Sequence, residues 1–513
     1  MSRAAKLRLV ILKPSKYGIG GDVERFRLGF MPNSTLPHLA SMTPAQFGGS
    51  HIETAMIDEY VQTDLGYLQL LKKDESPTLL AFVGVQSHQF QRALDLAAYA
   101  LDHGVEHCII GGPHPMTCDT SMFHGRGLSF ALAEAETTWL EILNDALDGE
   151  LKPLYGADHR WQPTLESPVL TPPAPDYLRR YLVPMLGIYP ARGCPFTCNF
   201  CSVIKIAGRQ IRSQTIETTL ASLRAAKAAG VKLIMFTSDN FNKYPDAPEL
   251  LMAMIEENIK IPFFIQCDTQ VAKQERLLDL LSRAGCFEMF VGVESFNRKT
   301  LLTALKGQNR PELYGEIVRL CLKYRIGTHF SNIIGFPGDT ADGIDEHIEI
   351  LRTLNPDGAS FYILTPIPGT GQYDEFLDKG LITERNLDRF DGTCPTSKHD
   401  NLSAGQLTEL LFSCYRRFYT LSHTLEITMR NLRYRGSALN GILQSIGGPV
   451  FARFSAFCGT HPMSGGVRRV VLDDSADYAD LRYRRFGFHL VPLPRSLQLS
   501  PADTLLNATA KLA

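Results

Sequence analysis

No stretch of the 513-residue chain approaches the ~20 consecutive apolar residues that a helical membrane span needs. Excess charge is also lacking: 52 Lys and Arg meet 54 Asp and Glu, for a formal charge of −2. With no basic surplus to neutralise phosphates, the charge argues against nucleic acid as an obligate partner. The start, Met1-Ser-Arg-Ala-Ala-Lys-Leu-Arg-Leu-Val10, has neither the apolar core nor the small-residue cleavage site of a signal peptide. Eleven cysteines in a long chain without a secretion signal do not make a disulfide framework. The expected compartment is the reducing cytoplasm. No internal repeat is present. What remains is an ordinary globular composition, 44% hydrophobic and 21% charged, long enough for two or three domains with full cores.

Three cysteines stand apart, in the run Cys194-Pro-Phe-Thr-Cys198-Asn-Phe-Cys201. The spacing C-x3-C-x2-C places three thiolates on one short loop. Three thiolates can bind three irons of a [4Fe–4S] cube and leave the fourth iron open to a substrate. A zinc knuckle would need a fourth ligand from a second pair, and no such pair follows. Cys108, Cys118, Cys267, Cys286 and Cys394 lack ligand spacing and read as small core residues.

Residues 1–150 alternate strand-like runs (Leu7–Leu12, His51–Ile57, Leu79–Val85, His107–Ile110) with helical patterns such as Phe90–Leu101. This predicts an α/β unit with a Rossmann-like, doubly wound parallel sheet. Ligands of such sheets bind at the carboxyl ends of the strands. Turn residues gather there: Gln86, Ser87, His88 and Gln89 after the third run, Gly111, Gly112, Pro113 and His114 after the fourth. Residues 151–185 are proline-rich and read as a linker. From 186 to 393 the alternation resumes, with strands expected at Leu186–Tyr189, Lys232–Phe236, Phe263–Cys267, Met289–Val293, Thr328–Ile334 and Ala359–Leu364. Residues 394–513 break the pattern. Leu407–Tyr434 reads as helical, the last fifty residues are irregular, and this part is expected to cap the substrate pocket. Its Arg and aromatic residues, Tyr415–Tyr419, Arg430, Arg433, Arg435 and Arg482–Phe486, could grip an anionic substrate or lean on a membrane surface, with solvated helix faces as the plainer reading.

The cysteine triplet and its context resemble the radical S-adenosylmethionine (SAM) superfamily. The resemblance implies a partial (βα)6 TIM-type barrel, with Cys194, Cys198 and Cys201 as cluster ligands on the loop after its first strand. SAM would chelate the open iron and be split to a 5′-deoxyadenosyl radical. Phe200 matches the aromatic position that lies against the adenine. Ser238 and Asp239, after the second strand, match the segment that receives the SAM ammonium. Glu294 and Ser295 in Val291-Gly-Val-Glu-Ser295 match the G-[IV]-E-S segment facing SAM. Gly335 and Pro337 in Gly335-Phe-Pro-Gly-Asp-Thr340 match a turn close to the adenine edge, and Pro366–Gly371 has the place to close over it.

The first 150 residues resemble the cobalamin-binding domain that precedes the barrel in one class of this superfamily. Leu36-Pro-His-Leu-Ala40, Gln86-Ser-His88, Gly111-Gly-Pro-His114 and Ala133-Glu134-Ala-Glu-Thr-Thr-Trp139 carry the likeness. Ala133 and Ala135 stand where the pattern has glycine, and the D-x-H-x-x-G motif of a lower cobalt ligand is absent, as is usual in this class. The resemblance implies three cofactors: a [4Fe–4S] cluster, SAM and cobalamin. It also implies methylation of an unactivated carbon in a natural-product or lipid-like small molecule, with an electron donor such as flavodoxin or ferredoxin as partner. One rival is a radical cyclisation, oxidation or rearrangement of a tetrapyrrole or hopanoid-like substrate. Another is a tRNA methylthiotransferase, which would need further cysteines in the N-terminal part than Cys108 and Cys118.

Overall fold

The computed structural model describes residues 5–497 except 75, 159, 163, 436–438, 463–464 and 475–476, and leaves the side chains of 435–447 undescribed. Strand β1 (Lys6–Lys13) is buried at every position from Leu9 onward, as its unbroken apolar run requires of a strand covered on both faces. Around it lie β2 (Ser50–Asp58), β3 (Thr78–Phe82), β4 (His107–Gly111), β5 (Leu128–Ala131) and β6 (Leu154–Tyr155), all parallel, in the order 2-1-3-4-5-6. This is a doubly wound sheet whose order reverses between β1 and β3. Helices α1 (Thr35–Ser41) and α4 (Ala135–Asp148) cover one face. Helix α2 (Ser87–Asp102) covers the other, and the short α3 (Pro113–Thr117) follows β4. The segment read as a linker supplies β6. A two-residue strand leaves no periodic signal in the sequence.

The second sheet takes its strands in chain order: β7 (Met185–Ile188), β8 (Leu233–Phe236), β9 (Phe263–Cys267), β10 (Cys286–Glu294), β11 (Gly327–Ile334) and β12 (Gly358–Ile363). All are parallel, and helices such as α5 (Ile216–Ala228), α6 (Ala247–Glu256), α7 (Glu275–Ala284), α8 (Tyr314–Lys323) and α9 (Ala341–Leu354) bury their apolar stripes against it. The six units form the expected partial barrel, with β7 and β12 as its two edges.

An open edge exposes backbone N–H and C=O groups that need partners. On β12 they are met by side chains of α10 (Ala404–Phe418) and its end. The Tyr419 hydroxyl accepts from Ala359 N and donates to Ala359 O, both at 2.8 Å. The Tyr415 hydroxyl accepts from Phe361 N at 3.1 Å. Tyrosines four apart on the helix therefore serve residues two apart on the strand. The arginines between and beyond them are paired with carboxylates: Arg416 with Glu409, Arg417 with Asp345 and Glu349, and Arg430 with Asp357. Tyr415–Tyr419 thus seals the barrel edge, which corrects both the plainer reading of a solvated helix face and the alternative of a substrate grip for this segment.

Helix α11 (Leu421–Arg435) and helix α12 (Leu439–Phe457) follow as a hairpin. The chain then returns to the first sheet. Gly466–Arg469 pairs antiparallel with Phe26–Gly29, and α13 (Tyr478–Phe486) packs on α2 through a buried Arg482–Asp95 ion pair. The C-terminal part braces both sheet units.

Candidate functional site at the seam between the two sheets

The carboxyl ends of β3, β4 and β5 face the first two strands of the barrel across a cavity of about 310 Å³. One wall is built from Gly84, Gly111–Pro113 and Ala133–Glu136, the other from Tyr189, Arg192 and Thr237–Asp239. None of its lining comes from residues 394–497. Gly112 has φ +133°, and a Cβ there would run into the backbone of Gly84 and Val85. Its glycine is demanded by the chain itself. A side chain at 112 would therefore disturb the fold before it met any ligand. The methyl of Ala133 abuts residue 156, which is glycine; a Cβ at 156 would collide with it. Thr138 is buried in the cavity wall, and its Oγ1 has no hydrogen-bond partner. A buried orphan of this kind calls for a ligand that brings a polar edge.

The turn Gln86–Gln89 does not line this cavity. Gln89 Oε1 accepts from Gln86 N at 3.2 Å and from Lys13 Nζ at 2.6 Å, closing the first turn of α2. Ser87 Oγ meets His114 Nδ1 at 3.0 Å, and the His114 ring stacks on Phe90 at 3.9 Å. Burial pushes the His114 pKa down to about 3. His88 is also pushed to about 3, first by burial and then by Lys16. These side chains hold the β3–α2 and β4–α3 turns together beneath the wall.

Glu134 and Glu136 reach across the seam. Glu134 takes both nitrogens of Arg212, at 2.6 and 2.7 Å. Glu136 takes both nitrogens of Arg192, at 2.9 and 2.8 Å, and His38 Nε2 at 2.7 Å. Burial alone would raise the Glu136 pKa, but Arg192 and His38 overcome it and hold it well below the usual carboxylate range. Arg192 directly precedes Gly193 and Cys194, so the clamp fixes the cysteine loop to the first sheet. His38 and Glu136 fall within segments the sequence singled out, Leu36–Ala40 and Ala133–Trp139, but without this role, and Arg192 and Arg212 were not singled out; the adjacency of Arg192 to the triplet was the available signal.

Within the loop, Gly193 N donates to Asp239 Oδ2 at 2.7 Å. Gly193 has φ +104°, and a Cβ would strike Gln210 O, so only glycine fits. Asp239 is half-buried in the cavity wall, and desolvation there raises its pKa. Its neighbour Ser238 is buried in the same wall. Two amides point at sulfurs: Gln308 Nε2 lies 3.4 Å from Cys198 Sγ and Asn240 Nδ2 lies 3.9 Å from Cys194 Sγ. Burial raises the Cys194 thiol and pushes Cys201 up to about 12. Metal binding must therefore displace thiol protons. Among the described residues no three ligand side chains converge on a single ion. A cube presents a separate iron to each thiolate, so the loop need not focus its sulfurs on one point.

At the end of β10 the register shifts between Gly292 and Glu294, and Glu294 adopts φ +61°. A left-handed non-glycine residue at a strand end is strain held in place by its surroundings. Its Oε1 meets Lys306 Nζ at 2.5 Å. Burial works against the Lys306 charge, yet Glu294, Cys198 and Cys201 keep its pKa above the lysine range. The same ammonium stands 5.6 Å from the centre of the Phe200 ring, whose edge meets Phe336 at 6.1 Å. Ser295 Oγ accepts from Asn297 N at 3.1 Å and shapes the turn that follows. Asp339 Oδ2 takes the N–H groups of Gly335 and Phe336, both at 3.0 Å, and sets the turn carrying Pro337. Thr340 caps α9 through Gly343 N. The Pro366–Gly371 turn packs on Thr117 of α3, where Gly369 leaves room for it. Glu294, Phe200 and two of the three cysteines thus meet around Lys306, a residue the sequence reading missed.

Residues 188–351 match the family model described as the Radical SAM superfamily. The chain is 26% identical over 345 residues to bacteriochlorophyllide d C-12(1)-methyltransferase of Chlorobaculum tepidum, covering 65% of this chain and 72% of that one. It is 26% identical over 419 residues to bacteriochlorophyllide d C-8(2)-methyltransferase of the same organism, covering 77% and 87%. Among solved structures, the radical S-adenosylmethionine methyltransferase TsrM from Kitasatospora setae, with cobalamin and a [4Fe–4S] cluster bound, superposes with a TM-score of 0.62 at 14% identity, over 89% of this chain and 99% of that one.

Proposed function

We propose that this chain, which belongs to the radical SAM superfamily and to its cobalamin-dependent class, methylates an unactivated carbon of a natural-product or lipid-like small molecule. One observation carries the reading: the strand ends of the first sheet and the residues flanking the cysteine loop, Arg192, Ile206 and Ala207, share one walled seam, with Arg192 bridging them. Bound together, a [4Fe–4S] cluster, SAM and cobalamin supply a hydrogen-abstracting radical and a transferable methyl group. The protein's part is holding and enclosure. Cys194, Cys198 and Cys201 hold the cluster, while Gln308 and Asn240 donate toward its sulfurs and so bear on its potential. Asp239 fixes the loop through Gly193 N. Glu294, poised on Lys306, receives the cationic end of SAM, and Phe200 with Phe336 offers an apolar face to its adenine. Gly111, Gly112 and Thr138 supply a bare backbone wall and a hydroxyl to the cobalamin side. Apolar side chains such as Trp139 and Ile142 keep water from the seam. A flavodoxin- or ferredoxin-type protein delivers the electron, and the setting is the cytoplasm. No helix among the described residues is long and apolar enough to cross a membrane.

The test is an anaerobic incubation of reconstituted protein with methyl-labelled SAM and cobalamin under reducing conditions. Label that travels with protein-bound cobalamin on gel filtration supports methyl transfer. SAM cleavage with no label on cobalamin would move the reaction to the cyclase or oxidase class.

A further inference from the structure

The α11–α12 hairpin turns apolar residues outward as well as inward. The face of α11 that packs on the protein carries His423, Thr428 and Asn431 beside Ile427, while Leu421, Leu425 and Met429 point outward. On α12 the inner side carries Ala452, Ser455 and Ala456, and Val450, Phe454 and Phe457 point outward. The six outward residues are between 51% and 75% exposed. Their spacing, i, i+4, i+8 on one helix and i, i+4, i+7 on the other, makes one apolar stripe per helix. Single exposed apolar residues need no explanation, but two aligned stripes on packed neighbouring helices do.

The charge of this segment names what covers it. From Leu421 to Phe457 the hairpin carries four arginines, Arg430 paired with Asp357, against one acid, Glu426, although the chain's overall formal charge is −2. Arg433 is exposed on α11, and Arg453, half-buried over the Phe457 ring at 5.0 Å, donates one nitrogen to the carbonyls of Arg416 and Tyr419. A second copy of the chain docking face to face would set this positive charge against itself. A bilayer rich in anionic lipid meets both needs, since its acyl boundary takes the apolar stripes and its headgroups take the arginines. No helix of the described residues spans, so the contact is an in-plane one. We propose that the α11–α12 hairpin seats the enzyme on an anionic membrane surface. The inference is independent of the methyl-transfer reading.

The test uses the full chain in flotation with vesicles of phosphatidylcholine alone or of equal parts phosphatidylcholine and phosphatidylglycerol. The expected result is flotation with the anionic vesicles only, weakening as salt is raised. The double variant Leu425→Glu, Phe454→Glu should lower the bound fraction by about tenfold or more. Circular dichroism and reconstituted iron content matching the parent show that it folds. A second variant, Arg433→Gln with Arg453→Gln, should lose the preference for anionic vesicles. Three results would overturn the proposal. One is no flotation at low salt. Another is flotation unchanged in the glutamate variant. The third is a dimer, measured by light scattering, that the glutamate variant dissociates.

Discussion

Lys306 Nζ stands 2.5 Å from Glu294 Oε1, with the Phe200 ring 5.6 Å from the same ammonium. The pair closes the space between the end of β10, the fourth barrel strand, and the cysteine loop, and each partner has its own use. Removing the Glu294 charge with Glu294→Gln should cost one charge-assisted hydrogen bond to SAM, about 1.5–3 kcal/mol, or roughly ten- to a hundredfold in Kd. Iron content should stay at the parent level. Lys306→Met should instead strand a buried carboxylate and lower the melting temperature more than Glu294→Gln does. Calorimetric SAM titration of both reconstituted variants, with their melting curves, checks the division of roles. Equal SAM affinity in Glu294→Gln and the parent would contradict it.

Asp239 should behave differently from a SAM ligand. Because its carboxylate holds Gly193 N beside Cys194, Asp239→Ala should loosen the cysteine loop and reduce bound iron, before any effect on SAM is measured. Asp239→Asn keeps an acceptor and should keep more of the iron. Iron assays on the two variants separate the cases; full iron in Asp239→Ala would show that the bond does not position the loop.

The seam should come apart when the Glu136 clamp is cut. Glu136→Ala leaves Arg192 buried and half-partnered, and breaking a buried pair costs about 3–5 kcal/mol. Hydrogen exchange should rise at residues 191–194 and in α1 together, since His38 loses the same partner. Exchange rising in only one of these regions would argue that the clamp does not join the two sheets.

Stability should fall as pH drops from about 6.5 toward 4. Burial pushes His114 and His88 to about 3, and His329, His347 and His461 to about 4. Each is neutral when folded, while its unfolded counterpart takes up a proton near pH 6.5, so acid favours the unfolded chain. Asp339, raised by burial to about 6, and Asp388, raised by burial to about 7, work the other way: their contribution is present at low pH and lost as pH rises. The lowered carboxylates Glu136, Glu59 and Asp391 side with the histidines, the raised Asp239, Asp58 and Asp95 with Asp339 and Asp388, and the first set is the larger. The apparent melting temperature should be lower at pH 5 than at pH 7, and a higher value at pH 5 would contradict the assignment.

Much of this arrangement was legible in the sequence because it is written in local patterns. The apolar runs of β1 and β3 and the six barrel strands announce themselves by length and flanking turns, and the triplet Cys194, Cys198, Cys201 by its spacing. What was not legible is long-range. Lys306 pairs with Glu294 twelve residues away, and Arg192 with Glu136 across fifty-six. Tyr415 and Tyr419 read as surface aromatics until the open strand beside them is known. The role of Gly112 depends on how closely the β3 turn approaches it, and the outward apolar face of α11 on which side the barrel covers. Periodicity specifies a stripe; packing decides which stripe is inside.

The central claim is that one seam serves two separately built sites, a cysteine loop and a strand-end wall. The most direct test is a metal count on anaerobically reconstituted, gel-filtered protein: the parent, Cys198→Ala, and Thr138→Phe, which fills the cavity wall. The parent should carry about four irons and one cobalt per chain. Cys198→Ala should lose its iron and keep cobalt, and Thr138→Phe should keep its iron and lose cobalt. Cobalt retained in full by Thr138→Phe, or a parent that takes up iron and never cobalt, would contradict the account.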